Sequence, residues 1–246
     1  MLATSLSVRF LTQVPMTVLR RSLKQVKPNV VVPTFLERTK FKLGLGDLRC
    51  SVTRLNAAGE NMFAVCAEYP VFEEFVEHLA LPDTFQSWFS ITTIHMWMCL
   101  VRLRQEGIEG QLLKRTFVNI FWLDLRSRMR TFRILRKQHK QVSAFRMQFF
   151  GAMFAYDEGF LSHSDVLLVS ALWRNLFLSS QTTTAQQLEL ALEYVRKNLA
   201  HLDSIRSDTI IRFGTPTFLP LLENQVDQQF ANERLRYCLS WPAFAR

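Results

Sequence analysis

With 246 residues, 48% of them apolar, and a mean hydropathy of +0.04, the chain can bury a hydrophobic core, which excludes an intrinsically disordered protein. Its 8 Gly and 8 Pro are too few for the many turns of a β-sandwich, so the composition favours long helices and an all-α fold. The 30 Lys and Arg exceed the 21 Asp and Glu, and the net charge of +9 favours a phosphate-bearing partner such as RNA or an anionic lipid surface.

The first 36 residues have the composition of a mitochondrial transit peptide. They carry five bases and no acid, and the bases are Arg9, Arg20, Arg21, Lys24 and Lys27. Apolar residues recur every four positions and would form one stripe on a helix: Leu2, Leu6, Phe10 and Val14. An unstructured basic tail is the alternative interpretation. We therefore predict a transit peptide and disordered leader over residues 1–36.

Residues 37–69 are predicted to form a connecting arm of short helices. Glycines and prolines interrupt this stretch and the residues before it, at Pro28, Pro33, Gly44, Gly46 and Gly59. The main helical domain is predicted to begin at Pro70, where acids in the first turns complement the dipole of a helix that ends at Pro82.

A central helix is predicted from Asp83 or Thr84, either of which can cap it, to about Glu106, with Gly107 ending it. The uncharged run over residues 84–101 approaches the length of a membrane span, but its hydroxyl, amide and imidazole groups would lack partners in lipid, so we expect a buried helix. Its aromatic and methionine side chains either pack in the core or form a surface for a client or partner protein. The candidates for that surface are Trp88, Met96, Trp97 and Met98.

Two amphipathic helices are predicted next, over residues 111–128 and 134–156, because apolar residues recur at helical spacing in both. The Asp-Glu-Gly sequence at residues 157–159 is predicted to form a solvated turn, with cation binding as the less favoured alternative. Ser162 or Ser164 can then begin another helix.

The last regular helix is predicted to follow Thr184 and Gln187, which have the spacing of a capping box. Beyond it the periodicity weakens, apart from a possible helix over residues 222–236. The sequence therefore predicts a single all-α domain of about six to eight helices over residues 70–204. Residues 205–246 are predicted to form a less regular C-terminal extension.

Positive charge is concentrated between Lys114 and Arg146, where the only acid is Asp124, whereas residues 55–101 contain acids but no Lys or Arg. Such a basic block attracts phosphate, because neutralising a polyanion releases its counterions. A solvated helix face is the alternative interpretation. The candidate residues for binding the anionic surface of a ribosome or membrane are Arg126, Arg130, Arg133, Arg136, Lys137 and Lys140.

The sequence contains no common catalytic or cofactor-binding motif. The phosphate-loop, dinucleotide, nucleophile-elbow and zinc-protease patterns do not occur, and the four cysteines lie far apart without a C-x-x-C pair. His95 and Cys99 could share a metal across one helical turn, but two ligands are too few, and a core histidine and a packed thiol are favoured. We therefore expect a protein that is not an enzyme and that holds no metal or cofactor.

A longer set of motifs resembles one protein family. Residues 81–107 read LPDTFQSWFSITTIHMWMCLVRLRQEG, and the further motifs follow in order: Trp122-x-Asp124 with Arg128, Tyr156-Asp157-Glu158-Gly159, Ala171-Leu172-Trp173-Arg174, Glu193-Tyr194-Val195-Arg196-Lys197 and Leu202-Asp203-Ser204. Several ordered motifs are more specific than any single one, and together they span about half of the chain. In these motifs the chain resembles the ubiquinol-cytochrome c chaperone family, the assembly factors of respiratory complex III.

The resemblance implies a helical chaperone on the matrix side of the mitochondrial inner membrane, in peripheral contact with it. It also implies binding of newly synthesised cytochrome b together with a small complex III assembly-factor subunit. Fungal members of the family imply contact with the mitochondrial ribosome as well. No catalytic residue and no cofactor comes with the resemblance.

Two other classes of protein would account for part of these features. A mitochondrial RNA-binding or translation factor without a chaperone role would use the same basic block, but it should pair that block with exposed stacking aromatics. A helical enzyme acting on an isoprenoid-like lipid would require an acid-rich metal cluster facing a deep apolar cavity. The sequence shows no such cluster.

Deleting residues 2–27 should leave the protein outside mitochondria, because this deletion removes the five bases of the leader. The measurement is cell fractionation of the full-length and truncated proteins, followed by protease protection of the mitochondrial fraction. Efficient entry of the truncated protein into the matrix would contradict the transit-peptide prediction.

Overall fold

Eight α-helices make up most of the described part of the chain. The structure is a computed structural model and describes residues 50–132, 138–162, 164–222 and 228–240. The helices are α1 (Val52–Glu68), α2 (Phe72–His78), α3 (Phe85–Leu103), α4 (Gly107–Thr131), α5 (Gln138–Leu161), α6 (Asp165–Asn175), α7 (Ala185–Ser204) and α8 (Gln228–Leu239). These residues include no β-strand, and the all-α prediction is confirmed. The predicted leader lies outside the described residues.

Helix α3 is the centre of the fold. Sixteen of its 19 residues are buried, and α1, α4, α5 and α7 all pack against it. Its first turn is capped by the hydroxyl of Thr84, which accepts a hydrogen bond from the amide of Ser87 at 3.3 Å. A single 3₁₀ turn follows the helix, and Gly107, with a φ of 59°, redirects the chain into α4. Within the described residues, no helix combines the length and the hydropathy needed to cross a bilayer.

The stretch predicted to be a connecting arm contains a core helix, α1. Its Met62, Phe63 and Cys66 are buried, and its main packing partner is α4. Gly59 lies where the two helices approach each other most closely, because a Cβ there would be 3.0 Å from the carbonyl oxygen of Leu113. The prediction of short helices is therefore wrong for α1, since this glycine permits close helix packing instead of making a turn.

The predicted turn at residues 157–159 lies inside α5. Asp157 accepts hydrogen bonds from the indole N–H of Trp97 at 2.8 Å and from the guanidinium of Arg104 at 2.6 Å. Gly159 is required by close packing, because a Cβ there would be 2.7 Å from the Cα of Leu168 in α6. The turn prediction is wrong because the partners of both residues lie on other helices, which local sequence does not reveal.

The capping box at the start of α7 is confirmed. The Thr184 hydroxyl accepts a hydrogen bond from the amide of Gln187 at 3.3 Å, and the Gln187 side chain accepts one from the amide of Thr184 at 2.8 Å. The predicted helix start at Ser164 also agrees with the structure, since α6 follows this residue directly.

The C-terminal region packs on the core instead of extending from it. Phe218 and Cys238 are buried, and α8 lies against α1. Arg234 of α8 donates hydrogen bonds to the carbonyl oxygens of Glu68 and Tyr69, at 2.8 and 2.7 Å, and so satisfies acceptors at the end of α1. The possible helix over residues 222–236 corresponds to α8, which the structure describes from Gln228 to Leu239. The prediction of a less regular C-terminal region agrees with the described residues 205–222, which include none of the eight α-helices.

A buried ionic cluster joins α1 to α4. The guanidinium of Arg128 donates to Glu68 at 2.5 Å and to Asp124 at 2.7 Å, and it lies 4.7 Å from the centre of the Trp88 ring in α3. All of these side chains are buried. The two carboxylates raise the pKa of Arg128 above its usual value, so the cluster keeps its central positive charge.

Replacing Arg128 with Met should destabilise the protein by about 3 to 5 kcal/mol, because two buried carboxylates would lose their counter-ion. Arg126→Met is the matched control, since Arg126 is exposed on the same helix, and it should change the free energy of unfolding by less than about 0.5 kcal/mol. Urea unfolding of both variants measures the difference. Equal stability of the two variants would show that the buried cluster does not hold α1 against α4.

His95 is a core residue of α3. Its Nδ1–H donates to the carbonyl oxygen of Ile91 at 2.7 Å, and its Nε2 accepts from the hydroxyl of Tyr194 in α7 at 2.6 Å. The Sγ of Cys99, one turn further along, lies 3.5 Å from the Sγ of Cys66, and both thiols are buried. The core interpretation of His95 and Cys99 is confirmed. Among the described residues, no three potential ligands are grouped as a metal site would require.

Lowering the pH should destabilise the protein through His95. Burial lowers the pKa of this histidine from 6.5 to about 4, so the unfolded state binds the extra proton first. The free energy of unfolding should therefore fall as the pH falls from 6.5 to 4, with a His95 contribution of roughly 3 kcal/mol. His95→Gln should remove that part of the slope. Denaturant unfolding at several pH values measures it, and parallel pH profiles for the two proteins would refute the assignment.

Candidate functional site

The four residues predicted as a client or partner surface lie in the core. Trp88, Met96, Trp97 and Met98 are at most 4% exposed. Other helices surround α3 on all sides, so these side chains pack against α1, α4, α5 and α7 instead of facing a partner. The predicted surface is therefore corrected to core packing. Met98 also lines a cleft.

This cleft opens between α3, α5, α6 and α7. Its volume is about 460 Å³, within the range of sites that hold a bulky apolar group. Its interior is largely apolar, and the apolar side chains that line it are Met98, Val101, Phe160, Leu168, Leu199 and Leu202. It lies at the C-terminal end of α3, where Gly159 allows α6 to pack closely on α5.

Charged side chains at the cleft are paired with one another. Arg196 of α7 forms an ion pair with Asp165 at the start of α6, and both are about half exposed at the rim. Elsewhere at the cleft, the side-chain amide of Gln105 donates a hydrogen bond to the carboxylate of Asp203 at 2.9 Å. Because these rim groups satisfy each other, the interior offers a guest mainly apolar contact.

The guanidinium of Arg102, also at the cleft, is held by acceptors of the chain itself. It donates to Glu106 at 2.5 Å and to the carbonyl oxygen of Leu202 at 3.1 Å. It also donates to the carbonyl oxygen of Ile205 at 3.1 Å. Arg102 is buried, and these bonds tie the end of α3 to the end of α7, so its role is to hold the cleft wall in place.

Exposed apolar side chains stand next in sequence to residues that line the cleft. Phe160 lines its wall and is followed by Leu161, which is 66% exposed; Asp165 on the rim is followed by Val166, which is 76% exposed. Large apolar side chains clustered on a surface indicate an interaction site more strongly than scattered ones do. The cleft and these neighbours therefore form the candidate site for an apolar partner.

Sequence reasoning proposed only one lining residue, Met98, as part of a binding surface. The sequence nevertheless contained a signal for the cleft, because more than half of the residues that line it belong to the motifs on which the family resemblance rests. These are Met98, Val101, Arg102, Gln105, Gly159, Arg196, Leu202 and Asp203. They come from four separate motifs, and only the fold shows that the motifs meet at one place.

The predicted basic residues are described in part. Arg126, Arg130 and Lys140 are exposed, at the end of α4 and the start of α5. Arg133, Arg136 and Lys137 lie outside the described residues. The role of the whole set in binding an anionic surface therefore stays a prediction.

Comparisons with known proteins agree with the helical fold and with the family resemblance. The sequence profile of the family described as "Ubiquinol-cytochrome C chaperone" matches residues 77–218. The mouse protein "Ubiquinol-cytochrome c reductase complex assembly factor 1" is 38% identical over 72% of this chain and 60% of its own length. "Protein CBP3, mitochondrial" of Saccharomyces cerevisiae is 32% identical over 75% of this chain and 61% of its own length. The chain thus spans about 60% of the length of these two relatives.

A solved structure shows the same fold. The crystal structure of the Cbp3 homolog from Brucella abortus matches with a TM-score of 0.59 and 17% sequence identity, over 79% of this chain and 100% of that one. The family profile covers more than half of this chain and includes every residue that lines the cleft. On these grounds the chain belongs to the ubiquinol-cytochrome c chaperone family.

Proposed function

We propose that the protein is an assembly chaperone of respiratory complex III that binds newly synthesised cytochrome b, together with a small assembly-factor subunit. The observation that carries the proposal is the apolar cleft between α3, α5, α6 and α7, with the exposed apolar side chains beside it. Family membership supports the chaperone class, and the name of the mouse relative supports ubiquinol-cytochrome c reductase as the complex that is assembled.

The chemistry of the cleft suits an apolar segment of a membrane protein. Such a segment must be shielded from water until it is inserted, because exposed apolar surface is unfavourable in water. A client helix lying across the end of α5 and the start of α6 would cover Leu161 and Val166 and could place one bulky side chain in the cleft. Binding of this kind is reversible and makes no covalent bond, so it requires no catalytic residue.

The proposed location is the matrix side of the mitochondrial inner membrane, in peripheral contact with it. The acid-free basic leader and the word "mitochondrial" in the name of the yeast relative support this location. The small partner subunit requires a face separate from the cleft. Helix α8 offers one, because its Phe230 and Tyr237 are exposed. Contact with the mitochondrial ribosome is a further part of the proposal and rests on the family resemblance.

The double substitution Leu161→Asp and Val166→Asp should weaken client binding by about tenfold or more, because it places two charges on the apolar surface. Both side chains are exposed, so folding should persist. The matched control is Ile108→Asp with Phe213→Asp, two residues that are each 53% exposed and do not line the cleft. The measurement is co-purification of radiolabelled, newly synthesised cytochrome b from detergent-treated mitochondria, with thermal melting as the test of folding.

Retention of cytochrome b by the cleft variant at the level of the control variant would refute the proposed client site. Absence of cytochrome b from the wild-type purification would refute the chaperone proposal itself. Crosslinking to RNA in that second case would favour the RNA-binding alternative.

A further inference from the structure

The outer face of α5 carries a second apolar surface, in the middle of the helix and separate from the residues that line the cleft. Met147, Phe150 and Phe154 are 76%, 62% and 73% exposed. Their i, i+3, i+7 spacing places them on one side of α5, along about 10 Å of the helix axis. The buried side of the same helix carries Phe149 and Tyr156, so α5 is apolar on two faces and only one of them is covered by the fold.

Exposed bases lie beside this apolar stripe. Arg115, Arg126 and Arg130 are exposed along α4, and Lys140 and Arg146 are exposed on α5. The guanidinium of Arg146 lies 5.4 Å from the centre of the Trp122 ring of α4. The Trp122 ring in turn packs edge-on against Phe149 of α5, at 5.4 Å between ring centres. These contacts pack α5 against α4 at Trp122. Arg115 and Arg126 are seven residues before and four after Trp122, which places them on its side of α4, so the bases and the stripe lie on neighbouring faces of the two helices.

The charge of this surface has one sign. No Asp or Glu occurs from residue 126 through residue 156, a segment that covers the end of α4 and most of α5. Acids begin at Asp157 and Glu158 and continue at Asp165, where the cleft opens. An anionic surface would therefore be attracted to the bases beside the stripe, whereas the acids near the cleft are paired with Arg104 and Arg196 and leave little net charge there.

Resting on the peripheral membrane contact in the proposed function, we propose that this face of α4 and α5 docks on an anionic lipid bilayer, with Met147, Phe150 and Phe154 inserted at the boundary between head groups and acyl chains. The flanking bases then lie at the level of the lipid phosphates. Apolar side chains on one helix face, flanked by Lys and Arg, are the features of helices that bind in the membrane interface without crossing it.

A lipid surface accounts for the exposed apolar stripe and the neighbouring bases together better than RNA or a protein client does. RNA binding explains the bases and could use the two phenylalanines for stacking, but it leaves the aliphatic Met147 on the same line without a role. An apolar client helix explains the stripe but not the five exposed bases around it. A bilayer with anionic head groups explains both, because one partner offers acyl chains and phosphates side by side.

The test is vesicle flotation with the purified full-length protein. Two kinds of vesicle are compared: phosphatidylcholine alone, and phosphatidylcholine in which about one-third of the lipid is phosphatidylserine. The wild type should float with the anionic vesicles and bind the neutral ones about tenfold less. Phe150→Ser with Phe154→Ser should lower binding to the anionic vesicles about tenfold, by removing the inserted groups. Arg130→Gln with Lys140→Gln should also lower binding to the anionic vesicles about tenfold. The binding that remains should depend less on salt concentration than that of the wild type.

Two control variants match these changes elsewhere on the surface. Ile108→Ser with Phe213→Ser removes exposed apolar side chains, and Arg206→Gln with Arg236→Gln removes exposed bases. Both controls should float as the wild type does. Equal flotation of the stripe variant and its control, binding of the wild type to RNA but not to vesicles, or no flotation at all would each overturn the proposal. Because all the lipid variants leave the cleft intact, they should still co-purify cytochrome b in detergent, so failure of lipid docking is distinguishable from failure of the chaperone proposal.

Discussion

Burial of α3 removes its polar side chains from water. Several of these side chains form hydrogen bonds with groups on neighbouring helices, and these bonds determine where those helices lie. His95 bonds to Tyr194 of α7, and Trp97 bonds to Asp157 of α5. At the C-terminal end, Arg102 bonds to the backbone that follows α7. A buried polar group without a partner costs about 1 to 3 kcal/mol, so these bonds select one arrangement of the surrounding helices over other apolar packings.

The same bonds shape the candidate client site. Because Asp157 and the end of α7 are tied to α3, the C-terminal ends of α5 and α7 stand apart by a fixed distance, and α6 packs beside them at Gly159. The space that remains between these helices is the cleft. A chaperone with a preformed cleft loses less conformational entropy on binding than one that must order a loop around its client.

Helix α5 carries two apolar surfaces, one buried in the core and one exposed to water. Its inner face contributes Phe149 and Tyr156 to the core, and its outer face leaves Met147, Phe150 and Phe154 in contact with water. Exposed apolar area of this kind contributes nothing to folding, and it favours association with another apolar surface. Exposed bases beside the stripe favour an anionic lipid surface as its partner, whereas the cleft, whose rim charges are paired, favours an apolar client.

The sequence by itself determined the helical class, the buried central helix, the capping of α3 and α7, and the family, because these depend on composition, local spacing and motif order. Only the tertiary structure decided the meaning of Gly59 and Gly159, which permit close helix contacts although their local sequence favours turns. It also decided that Arg128 is buried whereas Arg126 is exposed, and which apolar face of α5 is covered. Periodicity shows that a helix has an apolar face, but which face is buried depends on distant segments of the chain.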